Sequence, residues 1–157
     1  MSEPRIGLVL GAGGARGFCH VGVLQVLTEH NIPIDIIGGA SMGSLVGGAF
    51  CAGITLNEME SLAGEINQAF VMDFSASPNK KLAILKGERV TKLIISLLGE
   101  KKIEDLSIEY LAVACDLNTG KTHVFKKGLL WQAVRASIAI PMVFKPVEFK
   151  DMLLTDG

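Results

Sequence analysis

The chain has 157 residues with a formal net charge of −1, and 49% of its residues are hydrophobic against 20% charged. That length describes one domain with room for a substantial core, and the lack of a basic excess argues against nucleic acid as a partner. With a mean hydropathy of +0.42, the chain has either much to bury or an apolar surface to offer.

Residues 5–10 (Arg-Ile-Gly-Leu-Val-Leu) read as a short buried strand. The strand opens into Gly11-Ala-Gly-Gly-Ala-Arg-Gly17. Residues 18–30 follow as a helix, with Val21, Val23, Leu24, Val26 and Leu27 on a broad apolar face; Asn31 and Pro33 end it. Residues 34–38 form a second strand, which predicts a parallel, right-handed β-α-β unit.

Residues 36–56 carry no charge and are long enough to span a bilayer, with Gly39-x-x-x-Gly43 and Gly43-x-x-x-Gly47 as a helix-pairing pattern. However, Gly38-Gly39 breaks the run and its first part is β-like. The stretch reads instead as a buried strand and a buried helix.

Thr55-Leu-Asn-Glu58 is a capping box, and its helix runs to about residue 70. Residues 71–81 read as an irregular surface loop. A helix is expected over 88–98, stopped by Gly99. A hairpin follows, with strands at 110–115 and 122–125 around the turn Asn118-Thr-Gly120. A helix over 129–137 ends before Pro141. Residues 147–149 and 152–154 flank Lys150-Asp151 as a last hairpin.

Cys19, Cys51 and Cys115 lack metal-ligand or redox spacing, and each sits in an apolar segment, which predicts buried thiols in a reducing cytosol. Glu3 and Arg5 precede only a short apolar run, which does not read as a signal peptide. A cytoplasmic protein is therefore expected.

The chemistry concentrates at Gly39-Ala-Ser-Met-Gly43. A strand, a Gly-x-Ser-x-Gly turn and an apolar helix are the order of a nucleophile elbow. Small neighbours let two backbones approach, and the helix aims its N-terminal N–H groups at developing negative charge. The alternative is a structural serine in a glycine-rich turn.

The earlier glycine loop has two functional readings and a structural one, a tight turn with no ligand. As a dinucleotide fingerprint it fits poorly, because Arg16 stands where Gly or Ala belongs. As an oxyanion site, Gly13, Gly14 and Ala15 present backbone N–H groups into a concavity and Arg16 adds positive charge. Parallel neighbouring strands bring this loop beside the serine.

A serine nucleophile needs a base. His20 is nearest but reads as a helix-face residue. His30 suits the dipole at its helix's C-terminus, and His123 alternates within a hairpin strand, facing solvent. Asp116 and His123 follow Ser41 in α/β-hydrolase order, yet nothing local marks them.

Gly11-Ala-Gly-Gly-Ala-Arg-Gly17, Gly39-Ala-Ser-Met-Gly43, Ala136-Ser-Ile-Ala-Ile-Pro141 and Asp156-Gly157, in this order, resemble the patatin-like phospholipases, specifically their compact bacterial branch. The resemblance implies a three-layer α/β/α fold with a mostly parallel central sheet. It also implies a Ser-Asp dyad, with Ser41 as nucleophile and Asp156 as general base. Gly13, Gly14, Ala15 and Arg16 would supply the oxyanion site, and Gly39 and Gly43 the elbow. The implied reaction is hydrolysis of lipid acyl esters through an acyl-enzyme, with no metal or cofactor. A carboxylate serving as base should have its pKa raised by partial burial, and the apolar Met152-Leu-Leu154 could deliver Asp156 into a dry site.

Ala12 replaces a glycine common in the family. The chain also stops where the family continues, so an N-terminal fragment of a longer domain is expected. Asp156 should then fray, and a homo-oligomer or a missing C-terminal segment would complete the sheet. Ser137 reads as structural. The scattered lysines read as solvated surface, with peripheral contact to anionic lipid heads as the alternative. Two competing readings remain: a non-catalytic nucleotide- or anion-binding module, and a regulatory protein on the same scaffold.

Overall fold

The computed structural model describes residues 4–75 and 87–157. Six strands of these residues form one sheet: β1 (Gly7–Leu10), β2 (Ile36–Ala40), β3 (Glu109–Asp116), β4 (Thr122–Phe125), β5 (Val147–Phe149) and β6 (Met152–Asp156). Among the described residues five α-helices accompany them: α1 (Cys19–Glu29), α2 (Met42–Cys51), α3 (Leu56–Ser75), α4 (Glu88–Leu98) and α5 (Leu130–Ser137). The expected loop over 71–81 is helical in its first part, because α3 runs to Ser75. The rest of that expectation lies outside the described residues.

β1, β2 and β3 are parallel neighbours, while β4 and β6 pair antiparallel with β3, and β5 antiparallel with β6. Four of the six strands (β1, β2, β3 and β5) therefore point the same way. The chain is an α/β protein with a mixed, mostly parallel sheet.

Register on β3 decides where the ends of β2 and β6 meet. Ala40, the last residue of β2, lies opposite Val113. Asp156, the last residue of β6, lies opposite Ala114. β4 occupies the other edge of β3 across Ala112–Cys115, so β6 shares an edge with β2 and begins where β2 stops. Residue 41 and residue 156 are neighbours because adjacent residues of β3 template them. Asp156 is thus held in a strand and does not fray.

The uncharged stretch that invited a membrane reading divides into β2 and α2. Nine of the ten residues of α2 are buried, as expected of a helix apolar all round at the centre of a fold. Tyr110 on β3 donates its hydroxyl to the Ser44 carbonyl at 2.7 Å and ties this helix to the sheet. Ile37, Tyr110, Ala112 and Ala114 line the buried sheet face, with α2 and α5 packed over it. The other face is more open, with Val9 83% and Val124 39% exposed; the second helical layer of a three-layer arrangement is not among the described residues. No described helix is long and apolar enough to cross a membrane.

Several local expectations change. β1 is a largely exposed edge strand rather than a buried one. On α1 only Val21 and Leu24 are buried, while Val23 and Val26 reach solvent, because α1 lies at the margin of the helical layer. Cys19 is exposed, while Cys51 is buried and its thiol is pushed up to about 12 by that burial. The capping box forms as read: Glu58 accepts from the Thr55 N–H at 2.8 Å.

Candidate active site

Ser41 stands between β2 and α2 with φ 52° and ψ −126°, a region that L-residues avoid. The sharp turn needs this geometry to pass directly from strand to helix. The flanking glycines make it sterically feasible. A Cβ on Gly43 would lie 2.1 Å from the Leu10 carbonyl oxygen, and one on Gly39 2.5 Å from Ser44 Cα. Both positions are therefore closed to any side chain. The first turn of α2 leaves its leading N–H groups without intrahelical acceptors, directly after the serine.

Ser41 Oγ donates to Asp156 Oδ2 at 2.8 Å, across 115 residues of sequence. Burial raises the Asp156 carboxyl above the ordinary aspartate value, and the hydrogen bond from Ser41 pulls it part of the way back. A carboxylate so placed is within reach of the hydroxyl proton and is a stronger base than one in water.

The segment after α5 fastens both residues. The Ser137 hydroxyl accepts the Ser41 N–H at 3.0 Å. The Ala139 carbonyl accepts the Asp156 N–H at 3.0 Å and the Thr155 hydroxyl at 2.6 Å. The Ser137 carbonyl accepts the Gly157 N–H at 3.4 Å, and a Cβ on Gly157 would lie 2.2 Å from the Val113 carbonyl oxygen. Reading the sequence for reactive groups missed this role of Ser137; the only signal was the Ala136-Ser-Ile-Ala-Ile-Pro141 motif itself.

The glycine loop lies where parallel pairing of β1 and β2 puts it, with Leu10 opposite Gly39. Gly14, at φ 52°, starts a 3₁₀ turn running to Phe18. Gly14 and Ala15 line one cavity together with Ser41. Gly13 and Arg16 do not line it: the Gly13 carbonyl accepts the Arg16 N–H at 3.0 Å, closing the turn, and the Arg16 side chain is exposed. His20 Nε2 lies 2.9 Å from the Gly11 carbonyl oxygen. That nitrogen must carry the hydrogen to donate there, so His20 braces the loop.

The cavity has a volume of about 210 Å³ and its remaining walls are Phe18, Met42, Ile66, Ile138 and Ile140. The other titratable candidates lie elsewhere. His30 Nδ1 faces the Val26 carbonyl within its own helix. His123 is half-buried in an aromatic cluster, 4.5 Å from Phe125 between ring centroids, rather than solvent-facing. Asp116 accepts from the Thr119 hydroxyl and the amides of Asn118 and Leu153, which hold its pKa below the ordinary value, Thr119 most of all. It caps the hairpin turn. Among the described residues no group of three or more His, Cys, Asp or Glu side chains could hold a metal ion.

A serine on a strained strand-to-helix turn, in hydrogen-bond contact with a carboxylate and open to an apolar cavity, defines an α/β protein of the nucleophile-elbow class. The sequence profile of the patatin-like phospholipases matches residues 8–157. The chain belongs to the patatin-like phospholipase family.

Its relatives include an uncharacterised NTE family protein of Mycobacterium bovis, 42% identical over 99% of this chain and 43% of that protein. Lysophospholipase NTE1 of Candida glabrata is 34% identical over the whole of this chain and 9% of its own length. This chain therefore spans less than half the length of these relatives. Among solved structures, VipD from Legionella pneumophila matches 98% of this chain and 46% of its own, with a TM-score of 0.66 at 15% identity. The type III effector ExoU matches 86% of this chain and 39% of its own, with a TM-score of 0.54 at 12% identity. At such identities these two likenesses speak to the fold alone.

Proposed function

We propose that this chain carries the reaction centre of a serine lipid acyl hydrolase, a carboxylic ester hydrolase acting through a Ser-Asp dyad. The observation that carries the reading is the 2.8 Å hydrogen bond from Ser41 Oγ to Asp156 Oδ2 at the wall of an apolar cavity. Family membership and the likeness to fungal lysophospholipases support a lipid ester as substrate.

Ser41 Oγ attacks the ester carbonyl carbon while its proton passes to the Asp156 carboxylate. The oxyanion of the tetrahedral intermediate accepts hydrogen bonds from backbone N–H groups of the Gly14-Ala15 turn and the start of α2. Gly13 and Arg16 hold that turn closed. The carbon–oxygen bond to the alcohol then breaks, and the alcohol leaves with the proton from Asp156. Water attacks the acyl-serine, gives one proton to Asp156, and releases the fatty acid as Ser41 recovers its hydrogen. Neither a metal nor a cofactor has a step.

The apolar walls favour an acyl chain over a nucleotide phosphate, which would call for a polar cradle. A protein of the cytoplasm meeting lipid at a membrane surface fits this substrate.

The test is hydrolysis of p-nitrophenyl butyrate with fluorophosphonate labelling of the full chain. Labelling at Ser41 and loss of turnover in Ser41→Ala and Asp156→Asn are expected. Labelling at another serine, or an unchanged rate in Ser41→Ala, overturns the reading.

A further inference from the structure

Phe18 and Ile66, two of the walls of the cavity at Ser41, also border a second apolar void lined by Leu45, Val46, Ala49, Met59, Leu62 and Leu97. This second void holds only about 10 Å³ and lies between α2, α3 and α4. The first holds about 210 Å³, below the roughly 300–1,000 Å³ of pockets that enclose whole ligands. It has room for one acyl chain of limited length, not for a whole phospholipid.

Resting on the hydrolase reading above, we propose that Phe18 and Ile66 form a partition that sets the length of the acyl chain this site accepts. The chain enters at Ser41, runs along Ile138 and Ile140, and meets the ring of Phe18 and the side chain of Ile66. Ile66 is itself buried, at 4% exposure, and is fixed on α3, so it cannot swing aside as a surface side chain would. Phe18 closes the 3₁₀ turn that begins at Gly14. The element that offers oxyanion donors therefore also supplies half of the stop. Beyond the partition, the small void is the beginning of a channel that a smaller side chain would open. The preferred substrates are short- to medium-chain acyl esters.

Two readouts on the full chain test this. The first is kcat/KM for p-nitrophenyl esters from four to fourteen carbons. The second is calorimetric binding of saturated fatty acids of the same lengths to the Ser41→Ala protein, which needs no turnover. Affinity should climb about fourfold per methylene while the chain is being buried, then level off where it meets the partition. Ile66→Ala should move that plateau to longer chains and raise the ratio of long- to short-chain kcat/KM at least tenfold. Phe18→Leu, a milder change, should move both the same way. Ile66→Phe should move them to shorter chains.

A plateau and a kcat/KM ratio that stay within twofold of the parent in folded Phe18→Leu and Ile66→Phe overturn the partition. Absence of ester hydrolysis at every length, with a plateau that still moves, sinks the hydrolase reading and leaves the partition standing.

Discussion

Ser41 and Ser137 are joined by a hydrogen bond of 3.0 Å from the backbone N–H of one to the side-chain hydroxyl of the other, across 96 residues. Ser137 is fully buried. Its hydroxyl satisfies an amide that the strained turn would otherwise leave without a partner in a dry interior. Replacing it by alanine should leave that N–H unsatisfied, at a cost of about 1–3 kcal/mol. It should also let Ser41 drift from the carboxylate, and a small misplacement at a reacting atom can cost up to about a hundredfold in rate. Ser137→Ala is expected to lower kcat on p-nitrophenyl butyrate well beyond any change in KM. Urea unfolding measures the stability term separately, and an unchanged kcat would return Ser137 to a purely structural role.

The elbow glycines act through the neighbouring strand. A methyl on Gly43 meets the Leu10 carbonyl at 2.1 Å, and that carbonyl belongs to backbone, which cannot rotate away. Gly43→Ala should push α2 off β1 and destabilise the fold by about 1–3 kcal/mol or more. Gly22→Ala, inside α1 where an added Cβ meets nothing within 4 Å, serves as the control and should raise stability by up to about 1 kcal/mol through helix propensity. Thermal unfolding of the two variants distinguishes a packing clash from a general intolerance of alanine.

The sequence carried the local elements and most of the site in legible form. β2, the elbow and α2 follow from an apolar run, two glycines and a serine, because sterics leave few other uses for that order. Asp156 was reachable only through a resemblance: its partnership depends on β6 continuing the edge that β2 leaves on β3, a register set across the whole chain. Ser137 escaped for a related reason. It bonds to backbone, and a hydroxyl that satisfies a distant amide has no spacing to betray it. Burial was the least legible property. Val9 and Val23 look like core by residue type, but their exposure is decided by which sheet face and helix side the fold covers.

Ser41 combines the proposed role of nucleophile with backbone strain, and the two separate by mutation. At φ 52° and ψ −126°, an alanine keeps the strain of roughly 1–3 kcal/mol while losing the hydroxyl. A glycine loses the hydroxyl too but adopts the turn freely, against an unfolded-state entropy cost of about 0.5–1 kcal/mol. Ser41→Gly is therefore expected to be more stable than Ser41→Ala by up to about 2 kcal/mol, with both inactive. Equal midpoints in chemical denaturation would mean that the turn relaxes around alanine and that the elbow is not strained in solution.

The raised pKa of Asp156 makes two linked pH predictions. To accept the serine proton the carboxylate must be ionised, so kcat/KM should rise with pH through the folded-state pKa. Burial has moved that pKa above the ordinary aspartate value of 3.8, the Ser41 hydrogen bond offsetting only part of the shift. The acid limb should therefore lie above 3.8, and further up in a variant that keeps turnover while weakening the Ser41 contact. The same shift acts on stability. Between the unfolded and folded pKa values the native state binds the proton more tightly, so stability falls as pH rises through that window. Above it the cost of the buried charge is fully present; below the unfolded value it is gone. Asp156→Asn carries no charge and keeps an acceptor for Ser41, so it should melt higher than the parent near pH 8 and converge with it near pH 3. Melting curves across that range check the sign, and a variant less stable than the parent at pH 8 would mean that the ionised Asp156 is stabilised by more than its burial costs.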